Sequence, residues 1–240
     1  MTSIVLKEKS YKNCYLKTLK MAEEIKLKID IGVFVTVGPY PVDYIKLKEK
    51  LGRNSAINLM KKGIDEAVEL CKENKIVGIG EIGRPHFPVA EQVIIDSNEI
   101  LFYGMQRAND VKVPVIIHTE STTPNQCKEL VELGKKAGLP AHKIVKHFSP
   151  PLILKNENYG LMPSVLASEK NIIQAVKKGF RFLMETDYID DPRRPGAVLG
   201  PKTVPKRTFE LLETETINEK QVYIIHKENP EKTYDICLEP

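Results

Sequence analysis

The sequence predicts an α/β fold assembled from parallel βα units. Three observations carry this. Short runs of Val, Ile, Leu and Phe, several nearly continuous, alternate along the chain with longer segments at helical spacing; such runs suit strands buried on both faces. No tight Asn-Gly turn joins one run to the next, so crossover helices rather than hairpins are expected between them. The chain has 240 residues, 42% of them hydrophobic and 28% charged, enough for one sizeable core. No repeat, low-complexity tract or Gly/Ser linker divides it, so 1–240 reads as a single domain. An eight-stranded barrel and an open doubly wound sheet both fit the alternation.

In chain order, the N-terminal segment carries Tyr15, Leu19, Ala22 and Ile25 at helical spacing, and the first strand is expected over Ile29 to Val37. Ile57, Met60, Ile64, Ala67, Val68 and Cys71 mark a helix with Asn54 as its N-cap. Strands are expected over Lys75 to Gly80, Val113 to His118, Ile144 to His147, Tyr159 to Met162 and Phe180 to Glu185. The remaining helices read as Glu91 to Asn109, Pro124 to Lys136, Lys170 to Lys177 and Pro205 to Glu213.

The balance of 36 basic and 32 acidic residues gives a formal net charge of +4, spread as lysines among glutamates with no basic stripe. Charge therefore gives no argument for nucleic-acid affinity, although a phosphate-bearing substrate in a local pocket fits. The cysteines, Cys14, Cys71, Cys127 and Cys237, are far apart with no Cys-x-x-Cys pair, and read as reduced thiols. No apolar run approaches the roughly 18 to 20 residues of a spanning helix, and Met1 to Ser10 lacks the apolar centre of a signal peptide. A soluble, cytoplasmic protein with no membrane partner is expected; the oligomeric state is not legible.

Four candidate ligands stand where an expected strand gives way to its loop: Glu81, His118, His147 and Asp187. In a parallel barrel all strands point one way, so residues at their C-terminal ends converge on one mouth. Imidazole nitrogen and carboxylate oxygen suit zinc and related divalent ions, and a bound water whose pKa falls to roughly 7 supplies hydroxide at neutral pH. In this reading Glu81 bridges two ions and His118 and His147 hold one. Asp187 either holds the other or takes the proton from the water. Taken singly, each histidine reads as a hydrogen-bonded rim residue and each carboxylate as a cap or loop residue; the repetition favours the metal site.

His86, in Gly83-Arg84-Pro85-His86-Phe87-Pro88, touches substrate or orders its loop. His142 precedes a strand and is expected to be structural at the other end, and His226 is expected on the surface. The loop after Asp187 is long and rich in Pro and Gly, a composition common in functional loops. There Arg193, Arg194 and Lys202 either grip phosphate or carboxylate oxygens or form ion pairs with Asp190 and Asp191.

The strings Gly80-Glu81-Ile82-Gly83, Pro114-Val-Ile-Ile-His118, His147-Phe148-Ser149 and Glu185-Thr186-Asp187 resemble the successive metal-site motifs of the TatD-related hydrolases, in the amidohydrolase superfamily of TIM barrels. Gly-Glu-Ile-Gly-Arg-Pro-His and Glu-Thr-Asp-Tyr-Ile-Asp-Asp-Pro-Arg-Arg-Pro are similar to the archaeal branch. The likeness covers the chain from about Ile29 to Tyr234. It implies a metal-dependent hydrolase of ester bonds using one or two divalent ions (zinc, manganese, magnesium, nickel or iron). Glu81 and Asp187 would be its catalytic groups, Glu81, His118, His147 and Asp187 its metal ligands, and Arg84, His86, Arg193, Arg194 and Lys202 its substrate contacts. The family includes deoxyribonucleases, so the partner expected is a small-molecule or nucleic-acid phosphoester.

Two departures follow from the same likeness. The family has Gly-x-His-Pro after its third strand, whereas Gly38-Pro39-Tyr40-Pro41 puts Tyr40 at the histidine's place. Such families also open with His-x-His, and no histidine precedes His86. The expectation is an incomplete barrel of about six of eight strands, lacking its N-terminal βα units through an upstream start or a damaged gene. The paired two-metal chemistry would then be impaired, and the alternative is an inactive remnant that binds a metal or small anion. A doubly wound binding domain is disfavoured because no Gly-x-Gly-x-x-Gly follows any expected strand.

Overall fold

A computed structural model of the protein describes residues 2–189, 191 and 198–238. Two helices, α1 (Thr2–Glu8) and α2 (Lys12–Lys26), lead into β1 (Thr36–Val37), followed by α3 (Asp43–Leu51), α4 (Arg53–Lys72), β2 (Gly78–Gly83), α5 (Glu91–Asp110), β3 (Val115–His118) and α6 (Pro124–Lys136). Then come β4 (Ile144–Ser149), α7 (Lys155–Asn158), β5 (Met162–Leu166), α8 (Glu169–Val176), β6 (Leu183–Glu185), α9 (Thr203–Glu213), α10 (Glu219–Tyr223) and α11 (Asn229–Tyr234). Among the described residues the six strands are all parallel and lie in chain order, β1 to β6, so each neighbours the next through a helical crossover. The parallel sheet bears out the βα alternation, and the six-stranded part-barrel is the one the family resemblance implies.

Local chemistry explains most boundaries. Thr123 and Gln126 make a reciprocal capping box and Pro124 occupies the first turn, so α6 begins and ends where its pattern predicts. Ser168 caps α8 and Asn218 caps α10 through their side-chain oxygens. Asn54 is no cap: Gly52, at φ +78°, breaks α3 from α4, and Asn54 falls inside the first turn. The first strand is also shorter than expected. Only Thr36–Val37 pairs, while Ile29, Ile31 and Phe34 are 51%, 57% and 44% exposed. These side chains are left largely to solvent.

The main core fills the space between the outer helices and the sheet. It combines Tyr44, Leu47, Met60, Ile64 and Leu101 from α3, α4 and α5 with Ile79, Val115, Ile117 and Ile144 from the strands. A second cluster, with Val165, Ile172, Phe182, Leu211 and Ile225, secures β5 and β6 beneath the C-terminal helices. Among the described residues no helix is long and apolar enough to cross a membrane. Cys14, Cys71 and Cys127 are buried free thiols on helices, and Cys237 is an exposed one.

Candidate metal centre

The inner face of the sheet is built in two layers. Ile116, Val145, Met162 and Leu183, one from each of β3 to β6, form a small apolar cluster against Tyr234 of α11. Side chains two apart share a face, so the next inward positions are His118, His147, Ser164 and Glu185. An apolar floor thus carries a polar tier at the C-terminal strand ends.

Two breaks in the ladder complete that tier. Between β2 and β3, Gly80 pairs with Ile116 and Ile82 with Ile117, leaving Glu81 bulged out of register. Between β4 and β5, Lys146 pairs with Pro163 and Ser149 with Val165, so His147 and Phe148 together span one partner residue. Bulges re-aim side chains, and here both do so at candidate ligands. Gly80 allows the close approach: a Cβ there would lie 2.5 Å from that of Ile116.

Glu81, His118 and His147 each offer a donor atom, all within 4.8 Å of one another. Glu81 Oε2 lies 3.2 Å from His118 Nδ1 and Glu81 Oε1 3.2 Å from His147 Nε2. Asp187 Oδ1 stands 3.4 Å from the same His147 nitrogen, on a residue at φ +49°. Asp187 is thus beside the three-donor group and not one of its members.

The other nitrogens are held from behind. His147 Nδ1 lies 3.1 Å from Glu185, whose carboxylate also accepts from Phe148 N at 2.8 Å and from the Ser164 hydroxyl. His118 Nε2 lies 2.9 Å from His86 Nδ1 and 3.4 Å from the Tyr40 hydroxyl. Burial works to lower the His147 pKa, but Asp187 and Glu185 as hydrogen-bond acceptors, with the charges of Glu185 and Glu81, push it up to about 10. Burial works to raise that of Glu81, and His118 beside it with the imidazole charges outweighs it, holding the carboxyl below its usual range. Buried Lys146, one residue before His147, donates to the His147 carbonyl, and burial lowers its pKa to about 8.

The donor set fits a divalent cation. Two imidazole nitrogens and a carboxylate oxygen are an ordinary set for zinc and its neighbours. His118 Nδ1 is buried and makes no well-aligned hydrogen bond, although Glu81 Oε2 stands 3.2 Å away, as two donors facing one cation would. Carboxylates behind a ligating imidazole, as at His147, fix its tautomer and orientation.

A cavity of about 560 Å³ opens over this tier, lined by Tyr40, His86, Thr119, Ser121, Phe148, Tyr188 and Ile189 as well as by Glu81, His118, His147 and Asp187. His86 therefore stands in the pocket. Arg84 does not line it: its guanidinium is buried and bonded to Asn98 at 2.6 Å and Glu129 at 2.5 Å, with Glu120 at 3.5 Å, which ties α5 to α6. Lys202 is exposed just before α9 and also lies outside the lining. Arg193, Arg194 and Asp190 lie outside the described residues. His142 borders a separate cavity with Arg181 and Asp235. His226 corrects the surface expectation: it is half-buried, its Nε2 lies 2.8 Å from Thr208 Oγ1, and burial lowers its pKa. The residue passed over in sequence is Glu185, although its period-two relation to Leu183 and Asp187 marks it as inward-facing.

A family model described as TatD related DNase matches residues 3–235. An uncharacterized protein of Methanocaldococcus jannaschii is 45% identical over 218 residues, covering 90% of this chain and 78% of that one. Among solved structures, the phosphotriesterase homology protein of Escherichia coli aligns with a TM-score of 0.60 at 15% identity, over 85% of this chain and 75% of that one. The organophosphorus hydrolase of Deinococcus radiodurans aligns with a TM-score of 0.54 at 14% identity, over 80% of this chain and 65% of that one, so the chain spans just under two thirds of that protein. At those identities the likeness is one of fold, and the fold is the TIM-type barrel.

Proposed function

Since the chain belongs to the TatD related DNase family, we propose that it is a metal-dependent hydrolase of phosphoester bonds, its cation held by Glu81, His118 and His147. The observation that carries this reading is the convergence of those three donors within 4.8 Å, with His118 Nδ1 buried and facing the Glu81 carboxylate. A divalent cation there would supply an electrophile that acidifies water and polarises the phosphoryl oxygen.

The chain's own groups do the rest. Asp187, 3.4 Å from His147 and not among the three donors, accepts the proton of the attacking water. The bond from that water's oxygen to phosphorus forms, the bond from phosphorus to the leaving oxygen breaks, and Asp187 returns the proton to the leaving group. Glu185 keeps the His147 ring in one orientation, and His86 with Tyr40 does the same for His118.

The test is elemental analysis of purified protein together with turnover of bis(4-nitrophenyl) phosphate and of DNA. Bound divalent metal and a chelator-sensitive rate are expected, with both lost in His118→Ala and His147→Ala. Metal retained at full stoichiometry in both variants would remove the site. Bound metal with no turnover would return the chain to a binding function.

A further inference from the structure

We infer that the pocket receives a planar aromatic ring attached beside the scissile ester, and that Phe148 and Tyr188 are its specificity-determining residues. The inference rests on the hydrolase reading above and names its substrate class. Phe148 adopts φ +52°, a left-handed backbone that a bulky residue takes only where its surroundings impose it. Here the constraint is visible. The amide of Phe148 donates to Glu185 at 2.8 Å, and the same carboxylate holds His147 Nδ1 at 3.1 Å and accepts from Ser164. One half-buried acid thus orients the ligand imidazole and turns the following residue outward.

The outcome is a ring at the reaction centre and open to solvent. Phe148 is 45% exposed, and its centroid lies 6.1 Å from that of His147, edge-on at 69°. A single exposed phenylalanine needs no explanation; one held in left-handed backbone at the lip of a ligand tier does. Tyr188 and Ile189, 51% and 42% exposed, border the same cavity from the loop after β6. Tyr40 adds a third aromatic surface, edge-on to His118 at 5.0 Å. Among the described lining residues there is no Lys or Arg. These walls therefore offer ring faces and apolar edges beside the cation position, which suits a stacked ring. A nucleobase and a simple aryl group share that chemistry.

The experiment compares substrates with one leaving group and different retained groups: bis(4-nitrophenyl) phosphate, thymidine 5′-(4-nitrophenyl) phosphate and methyl 4-nitrophenyl phosphate. For the metal-loaded protein, kcat/KM is expected to favour a substrate whose retained group carries a ring over the one whose retained group is methyl by about ten-fold or more, the scale of one stacking contact. Phe148→Leu and Tyr188→Leu should each cut that ratio several-fold, chiefly through KM, and Phe148→Tyr should preserve it. The thymidine arm separates a nucleobase from an aryl source. Calorimetry with phenyl phosphate against ethyl phosphate gives the same comparison without turnover. If nothing is hydrolysed, the hydrolase reading fails, and a phenyl preference lost in Phe148→Leu still upholds the ring site. Equal ratios in wild type and Phe148→Leu, in both measurements, would overturn it.

Discussion

Glu185 accepts from three groups, the amide of Phe148, the hydroxyl of Ser164 and the ring of His147, from a side chain that is 15% exposed. Removing its charge while keeping its shape isolates what the carboxylate does for His147. Glu185→Gln leaves one amide oxygen to accept and places an NH₂ against a neighbour that needs an acceptor. Groups that orient a ligating imidazole are worth roughly 10 to 100-fold in metal affinity. That is the expected loss in a competition titration against a chelating dye, with little change in far-UV circular dichroism. Unaltered affinity would make Glu185 a support for the loop alone. His118 and His147 are legible in sequence because each ends an apolar run, whereas Glu185 ends one too but is followed by the more conspicuous Asp187. Its role depends on a bulge that no composition reveals.

At the scale of elements, one buried carboxylate joins three helices. Asp96 of α5, with a fully buried side chain, accepts from the Tyr44 hydroxyl of α3, from Arg53 Nε of α4 at 2.8 Å and from Gln92 at 2.9 Å. Burial works against its charge, but Arg53, Tyr44 and Gln92 together hold its pKa down to about 2. A carboxyl depressed in the folded state stabilises above its unfolded value near 3.9, and that contribution is lost as pH falls through about 2. The shift corresponds to roughly 2 kcal/mol. In urea melts Asp96→Ala should therefore lose about 3 kcal/mol near neutral pH, since it also strands the buried Tyr44 hydroxyl. The difference from wild type should narrow between about pH 4 and pH 2; a constant difference would mean the carboxylate's charge is not what matters. The helices themselves were readable from periodicity and caps, as α6 shows. The run from Ile29 to Val37 was not, because whether an apolar run becomes a strand depends on a partner strand, and only Thr36–Val37 stands in register with β2.

For the whole molecule, the candidate ligands come from three adjacent strands, Glu81 from β2, His118 from β3 and His147 from β4. These strands lie inside a sheet whose end strands, β1 and β6, pair on one side each among the described residues. A cation bound there links separate βα units, and it has no comparable site in the unfolded chain. Binding to the folded state alone stabilises by about 2.7 kcal/mol at a free concentration of 100 times Kd. A chain of this size gains about 2–4 °C in Tm per kcal/mol. Saturating manganese or zinc should therefore raise Tm by roughly 5–10 °C, and a chelator should reverse it. His147→Ala should abolish the shift, because it removes a donor. Asp187→Asn should keep most of it while losing turnover if, as proposed, Asp187 stands beside the three-donor group and takes the proton. A shift that survives His147→Ala would locate the cation elsewhere, and one that vanishes in Asp187→Asn would make that carboxylate a ligand and leave the proton to another acceptor.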